Sequence, residues 1–121
     1  MPHLHIEYTD NLTGLNEREL MREVNAVVCN HPTVTDEADV KSRIARLNMG
    51  NVYIGNQPDN RGFVHVQLQL MAGRSTEAKK QMSDGIAEVL RRLVPQPADL
   101  HVQLSVDVAD MDKATYFKGR L

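Results

Sequence analysis

The feature that most restricts this chain is an internal repeat at half its length. Ile6 to Ile44 spans 38 positions, Val66 to Leu104 also spans 38, and Ile6 to Val66 spans 60 of the 121 residues. Each pair of marks ends a unit of strand, helix and strand. The first strand runs from about Pro2 to Tyr8, with Leu4, Ile6 and Tyr8 on one face and His3, His5 and Glu7 on the other. Asn16 caps a helix, with Glu19 three residues on as in a capping box, and Leu20, Val24, Val27 and Val28 fall on one stripe. His31-Pro32 ends it, because proline disfavours helical geometry in the residue before it. A second strand covers about Val40 to Leu47, followed by an Asn- and Gly-rich loop expected to hold a short strand at Val52–Ile54.

The second unit repeats the plan. Phe63 to Met71 alternates strictly, Ser75 caps a helix, and Ala78, Met82, Ile86, Val89 and Leu93 form its buried stripe. Pro95 and Pro97 stop that helix, and His101 to Val108 is the last strand, with Val102, Leu104, Val106 and Val108 inward. A right-handed crossover makes the two strands of each unit parallel. The expected fold is α+β: two βαβ units related by a pseudo-twofold, in one four-stranded mixed sheet with both helices on one face. Residues 1–121 form a single domain with repeat halves of about 1–60 and 61–121.

Two such small units bury little. Two Phe, three Tyr and no Trp leave the core almost wholly aliphatic. The sheet face without helices carries His3, His5, Glu7, His65, Gln67, Gln69, His101, Gln103 and Ser105, which are hydrogen-bonding and mostly uncharged. Such a face suits burial against copies of itself, where polar groups find partners; an ordinary wet face is the other reading. Fourteen Lys and Arg against sixteen Asp and Glu give a net charge of −2, which argues against nucleic acid and against a polybasic membrane patch. No apolar run approaches the roughly 20 residues of a membrane span. The first residues lack the basic and apolar regions of a secretory signal, and the one cysteine has no internal partner, so the expected location is the cytoplasm.

No phosphate loop, dinucleotide fingerprint or HExxH zinc motif is present. His3 and His5 share a strand side within range of His65; they suit either a metal or, more simply, neighbouring hydrogen-bond partners. Cys29, near the end of the first helix, reads as a small core residue. Pro2 is the unusual candidate. Loss of Met1 exposes a secondary amine at a strand start, and burial with nearby cations lowers its pKa toward that of a usable base. Parallel pairing of the first two strands brings Lys41 to that end, and an antiparallel third strand delivers Arg74 there, just before the anion-favouring start of the second helix. An amine, a lysine and a guanidinium on one edge suit an acidic small molecule undergoing proton transfer.

These residues carry a resemblance. Pro2-His3-Leu4-His5-Ile6-Glu7-Tyr8-Thr9-Asp10-Asn11, Lys41-Ser42-Arg43, Phe63-Val64-His65 and Ala72-Gly73-Arg74-Ser75 resemble the 5-carboxymethyl-2-hydroxymuconate isomerase family of the tautomerase superfamily over nearly the whole chain. The resemblance implies a homotrimer with sheets lining its interior, sites between subunits, and no metal or cofactor. It implies that Pro2 moves a proton from the 2-hydroxyl of a dienol to a distant carbon, first as base and then as acid. Arg74 would bind a substrate carboxylate and steady enolate charge. The family's second cation is an arginine where this chain has Lys41, with Arg43 two residues on, so either could serve as the second carboxylate-binding residue. The loop Asn48–Asn60 lacks the family's tryptophans and the C-terminus is shorter, which touches substrate identity more than fold. The expected activity is isomerisation of an unsaturated carboxylate in aromatic catabolism. The alternatives are a dehalogenase or hydratase of the same superfamily acting on a small acid, or a trimeric binding protein without catalysis.

Overall fold

The computed structural model describes all 121 residues. The elements in chain order are β1 (His3–Thr9), α1 (Glu17–Cys29), β2 (Lys41–Leu47), β3 (Arg61–Met71), α2 (Thr76–Leu93) and β4 (His101–Met111). They form one four-stranded sheet in the order β2-β1-β3-β4. β1 and β2 are parallel, β3 and β4 are parallel, and the two pairs meet antiparallel through β1 and β3. This is the doubled βαβ arrangement expected from the half-length repeat.

Local chemistry sets the helix ends. The Asn16 side chain accepts the Glu19 backbone N–H at 3.1 Å, and Ser75 accepts that of Ala78 at 3.1 Å, each satisfying a donor that a helix start leaves free. α1 stops at Cys29, before the His31-Pro32 step, and its Asn30 N–H closes the last turn on the Ala26 carbonyl. The helices lie on one sheet face and cover a core of sixteen buried residues drawn from both repeats. Leu4, Ile6 and Tyr8 of β1 face Leu68, Val66 and Val64 of β3, and all six are at most 4% exposed. The stripes of both helices meet them, through Leu20, Val24 and Val28 from α1 and Met82, Ile86, Val89 and Leu90 from α2.

Three details differ from the sequence reading. No strand forms at Val52–Ile54; a single 3-10 turn at Met49–Asn51 precedes that stretch instead. The Asn48 side chain takes the Gly50 N–H at 2.8 Å and Asp10 Oδ1 takes that of Met49, so side chains occupy the backbone that a ladder would use. β4 runs to Met111, because its pairing with β3 continues unbroken from Arg61↔His101 to Met71↔Met111. Leu104 is 37% exposed rather than buried. β4 is an edge strand, and a cleft of about 290 Å³ lined by Leu90, Val94, Val102 and Leu104 opens where α2 ends its cover.

Two contacts anchor the helices. Gly85 of α2 lies against Val27 of α1, where a Cβ on residue 85 would sit 2.7 Å from Val27 Cγ1. Alanine in mid-helix ordinarily gains close to 1 kcal/mol over glycine, but valine is stiff at χ1 and cannot step aside. Gly85→Ala is therefore expected to lower stability by about 1–2 kcal/mol in urea unfolding, with Val27→Ala in the same chain recovering part of the loss. The second anchor is the Tyr8 hydroxyl, which donates to Glu17 Oε2 at 2.7 Å and ties the end of β1 to the start of α1. Burial first, then this bond to Glu17, pushes the phenol up to about 12. The folded chain thus holds the phenolic proton more tightly than the unfolded chain, whose tyrosine titrates near 10. The bond's contribution is complete below about pH 10 and is lost as pH rises toward about 12. Tyr8→Phe is expected to flatten that alkaline fall in melting temperature.

Candidate active site

The strand register assembles one end of the sheet. His3 pairs with Lys41 across the parallel ladder, and the Lys41 N–H donates to the Pro2 carbonyl at 3.1 Å. Pro2 itself is buried. His3 also pairs with Gln69 across the antiparallel ladder, so β3 finishes beside the chain start. Ala72 bonds the Met111 carbonyl, and Gly73 at φ 123° turns the chain with a backbone angle that side chains disfavour. Arg74 follows at once.

The Arg74 guanidinium is held from behind. Its Nε donates to Thr33 Oγ1 at 3.0 Å and its Nη2 to the Thr33 carbonyl at 3.2 Å. His31 Nδ1 meets the same hydroxyl at 2.9 Å, and His31 Nε2 meets Gln81 Oε1 at 2.9 Å. One assignment satisfies this chain: Thr33 donates to Nδ1, and the Nε2 proton goes to Gln81. Arg74 is therefore fastened through the loop after α1 onto α2, with part of its donor fork left for a ligand.

Electrostatics converge on the chain-start amine. That amine belongs to Met1, one residue before Pro2: burial lowers its pKa from the ordinary 8.0, Asp39 opposes this, and Lys118, Arg74 and Lys41 add to it. Lys41 Nζ donates to the Asp39 carbonyl oxygen at 3.2 Å, and Lys118 Nζ meets Asp39 Oδ2 at 2.8 Å. Lys118 belongs to a C-terminal tail that folds back over this end. Tyr116 Oη lies 2.7 Å from His3 Nε2, and Arg120 Nη2 lies 3.8 Å from Asp36 Oδ2. Lys41 thus meets Pro2 through the backbone, and β3 delivers Arg74 to the same end of the sheet. Asp39, Thr33, Tyr116 and Lys118 join them from irregular segments whose sequence carries no periodic signal.

Arg43 takes a different position. It pairs with His5 on the open sheet face and reaches His3 Nδ1 and His5 Nε2, both at 3.3 Å. Those nitrogens must accept, so His3 carries its proton on Nε2 and donates it to Tyr116. His65 Nδ1 bonds Ser105 Oγ at 2.6 Å, and no three His, Cys, Asp or Glu side chains gather closely enough to hold a metal ion. His3, His5 and His65 each have a side-chain hydrogen-bond partner. Cys29 is half-buried against the core, and burial pushes its thiol up, away from nucleophilic character.

The repeat sets a second, pseudo-equivalent end, where Gly62 stands 60 positions after Pro2. A Cβ there would lie 2.8 Å from Thr9 Oγ1 and 2.9 Å from Asn11 Oδ1. That end is closed by packing and by the Asn11 Nδ2 bond to the Arg61 carbonyl at 2.8 Å.

Paired βαβ units of this topology define a tautomerase-superfamily fold. The sequence pattern of the 5-carboxymethyl-2-hydroxymuconate isomerase family matches residues 2–120, and the chain belongs to that family. The crystal structure of a 5-carboxymethyl-2-hydroxymuconate isomerase from Deinococcus radiodurans R1 is 29% identical, with a TM-score of 0.85 over 99% of this chain and 90% of that one. A fused 4-OT wild-type symmetric trimer shares the fold at 15% identity and a TM-score of 0.76, over 93% and 87% of the two chains. A macrophage migration inhibitory factor-like protein from Entamoeba histolytica does so at 10% identity and 0.69, over 98% and 95%. A search of curated protein sequences gave no match. No helix of the chain is long and apolar enough to cross a membrane.

The His3 geometry sets a titration. Burial first and then Arg43 hold its imidazole below the ordinary 6.5, since protonating Nδ1 removes the acceptor that Arg43 uses. An NMR titration is expected to place the His3 midpoint below that of an unstructured histidine, and Arg43→Gln is expected to move it upward.

Proposed function

We propose that the chain is a cofactor-free isomerase that shifts a proton within a 2-hydroxymuconate-type unsaturated carboxylate, with the Pro2 amine as the proton carrier. The observation that carries this reading is a buried Pro2 at one end of the sheet, with the Lys41 N–H on its carbonyl and β3 delivering Arg74 to the same end. Family membership supplies the reaction class.

The chemistry follows from the charges. A secondary amine in its unprotonated form can take the 2-hydroxyl proton of a dienol, and the resulting ammonium can return it to a remote carbon of the conjugated system. The intermediate is a dienolate, whose oxygen charge needs a nearby cation. Arg74 is fixed by Thr33 before substrate arrives, so it provides that stabilisation without reorganising. Lys41 offers a point charge for a second carboxylate. Arg43 is a candidate for the same role if the substrate extends along the open face. The proton passes between the amine and the substrate alone.

The functional unit is read as a homotrimer. The open sheet face with His5, Gln67, Gln69, Gln103 and Ser105 supports this, because uncharged donors and acceptors pair well across a subunit interface. Trimeric 4-OT structures share the fold. Packing three sheets together would enclose the amine further and lower its pKa more. A single unpaired thiol suits the reducing cytoplasm.

The test begins with intact mass, which must show loss of Met1. The processed protein is then expected to isomerise a 2-hydroxymuconate-type dienol, followed by ultraviolet absorbance. Pro2→Ala is expected to lower kcat/KM by roughly 10²–10⁴ while leaving the circular dichroism spectrum unchanged. Wild-type turnover by Pro2→Ala, or retention of Met1 in an active protein, overturns the assignment.

A further inference from the structure

The chain-start amine sits among groups from five segments. Asp39 ends the turn before β2, Lys41 opens β2, Arg74 follows β3, His3 opens β1, and Lys118 comes from the tail. Only one of these groups is anionic. Asp39 lies two positions before Lys41, beside the chain start, and its charge favours the protonated form of the amine there, which in this structure is that of Met1. The Asp39 side chain is 18% exposed and has one ion-pair partner, Lys118, whose Nζ lies 2.8 Å from Oδ2. That partner is 79 positions away in sequence and belongs to no helix or strand.

The tail is not loosely placed. Tyr116 is fastened to His3 and Arg120 reaches Asp36, so Lys118 is bracketed by one contact on each side. Asp112 also closes a turn at its root, accepting the Ala114 N–H at 2.9 Å. The tail thus runs from the end of β4 across the site's edge, and its central cation lands on the one carboxylate of this group.

We propose that Lys118 is a positioning residue of this enzyme: the tail clamps the Asp39 carboxylate by an ion pair, so that it is not free to pair with the amine that loss of Met1 exposes at the start of β1. This rests on the reading of Pro2 as the proton carrier. Lys118 does so in two ways. Its own positive charge disfavours a second cation nearby, and its bond to Oδ2 engages the carboxylate that would otherwise pair with an ammonium. Truncation of the tail therefore weakens the base without touching Pro2, Lys41 or Arg74.

The signs are opposite for the two partners. Removing Lys118 leaves Asp39 free to stabilise the ammonium, so the acidic limb of kcat/KM moves to higher pH. Removing the Asp39 carboxylate moves that limb to lower pH. The double variant falls between the single ones, because each change cancels part of the other.

The experiment uses the full chain with Met1 loss verified by mass, as Lys118→Met, Lys118→Arg, Asp39→Asn and the double variant. The amine is probed directly with 1-fluoro-2,4-dinitrobenzene, which arylates unprotonated amines, and labelling of the N-terminal peptide is followed by mass from pH 5 to 10. This readout needs no turnover, so it stands even if Pro2→Ala shows that the amine is not the proton carrier. Lys118→Met is expected to slow labelling roughly two- to fivefold below the limb, with no change at high pH where every amine is free. Lys118→Arg is expected to restore it, and Asp39→Asn to quicken it. Equal labelling of Lys118→Met and wild type across the whole range overturns the proposal, as does the same slowing in Lys118→Arg. A uniform slowing at all pH values also overturns it, since that marks altered access rather than altered basicity.

Discussion

The antiparallel pairing of β1 with β3 is the contact on which the rest depends. Each βαβ half alone would leave an apolar strand edge open to any other strand. Joining the halves covers both edges and closes the core, with Leu4, Ile6 and Tyr8 set against Leu68, Val66 and Val64. Its register is also strongly specified. A slip of one residue would turn the aliphatic row of one strand toward the polar face. The same register decides which groups meet at the chain start, because β3 must end where β1 begins for Gly73 to direct Arg74 there.

The charges at that end illustrate how a small protein concentrates cations without a costly cluster. Lys41, Arg74 and Lys118 arrive on separate segments, and each is tied to an oxygen: the Asp39 carbonyl, Thr33, and the Asp39 carboxylate. Mutual repulsion is thus offset before a ligand binds. A net charge of −2 for the chain conceals this arrangement, since solvated acidic residues elsewhere outnumber the local excess of positive groups.

Much of this architecture was legible in the residues. Strict alternation from Val64 to Leu70 and the stripe of Met82, Ile86 and Val89 leave little freedom in strand or helix assignment. The repeat then supplies topology, and topology supplies the convergence of Pro2, Lys41 and Arg74. Arg43 could have been placed more sharply, since parity with His5 in a parallel pair sets it on the open face. The short strand at Val52–Ile54 failed for the opposite reason: apolar residues were present, but Asn48 and Asp10 satisfied the neighbouring backbone first. The tail contacts of Tyr116, Lys118 and Arg120 had no periodic signature. They join residues about 80 to 110 positions apart through single side chains, and only the finished fold brings those together.

Gly62 shows what fusion of two repeats does to symmetry. A backbone amine can exist only where a chain begins, and at the second repeat the backbone passes straight through. Continuity of the polypeptide therefore makes the two ends of the pseudo-twofold unequal in kind. Thr9 and Asn11 crowd the space at Gly62 that a side chain would need, which makes that corner a mechanical joint. The chain start stands open at one corner of the pseudo-twofold, while the other corner contributes cohesion alone.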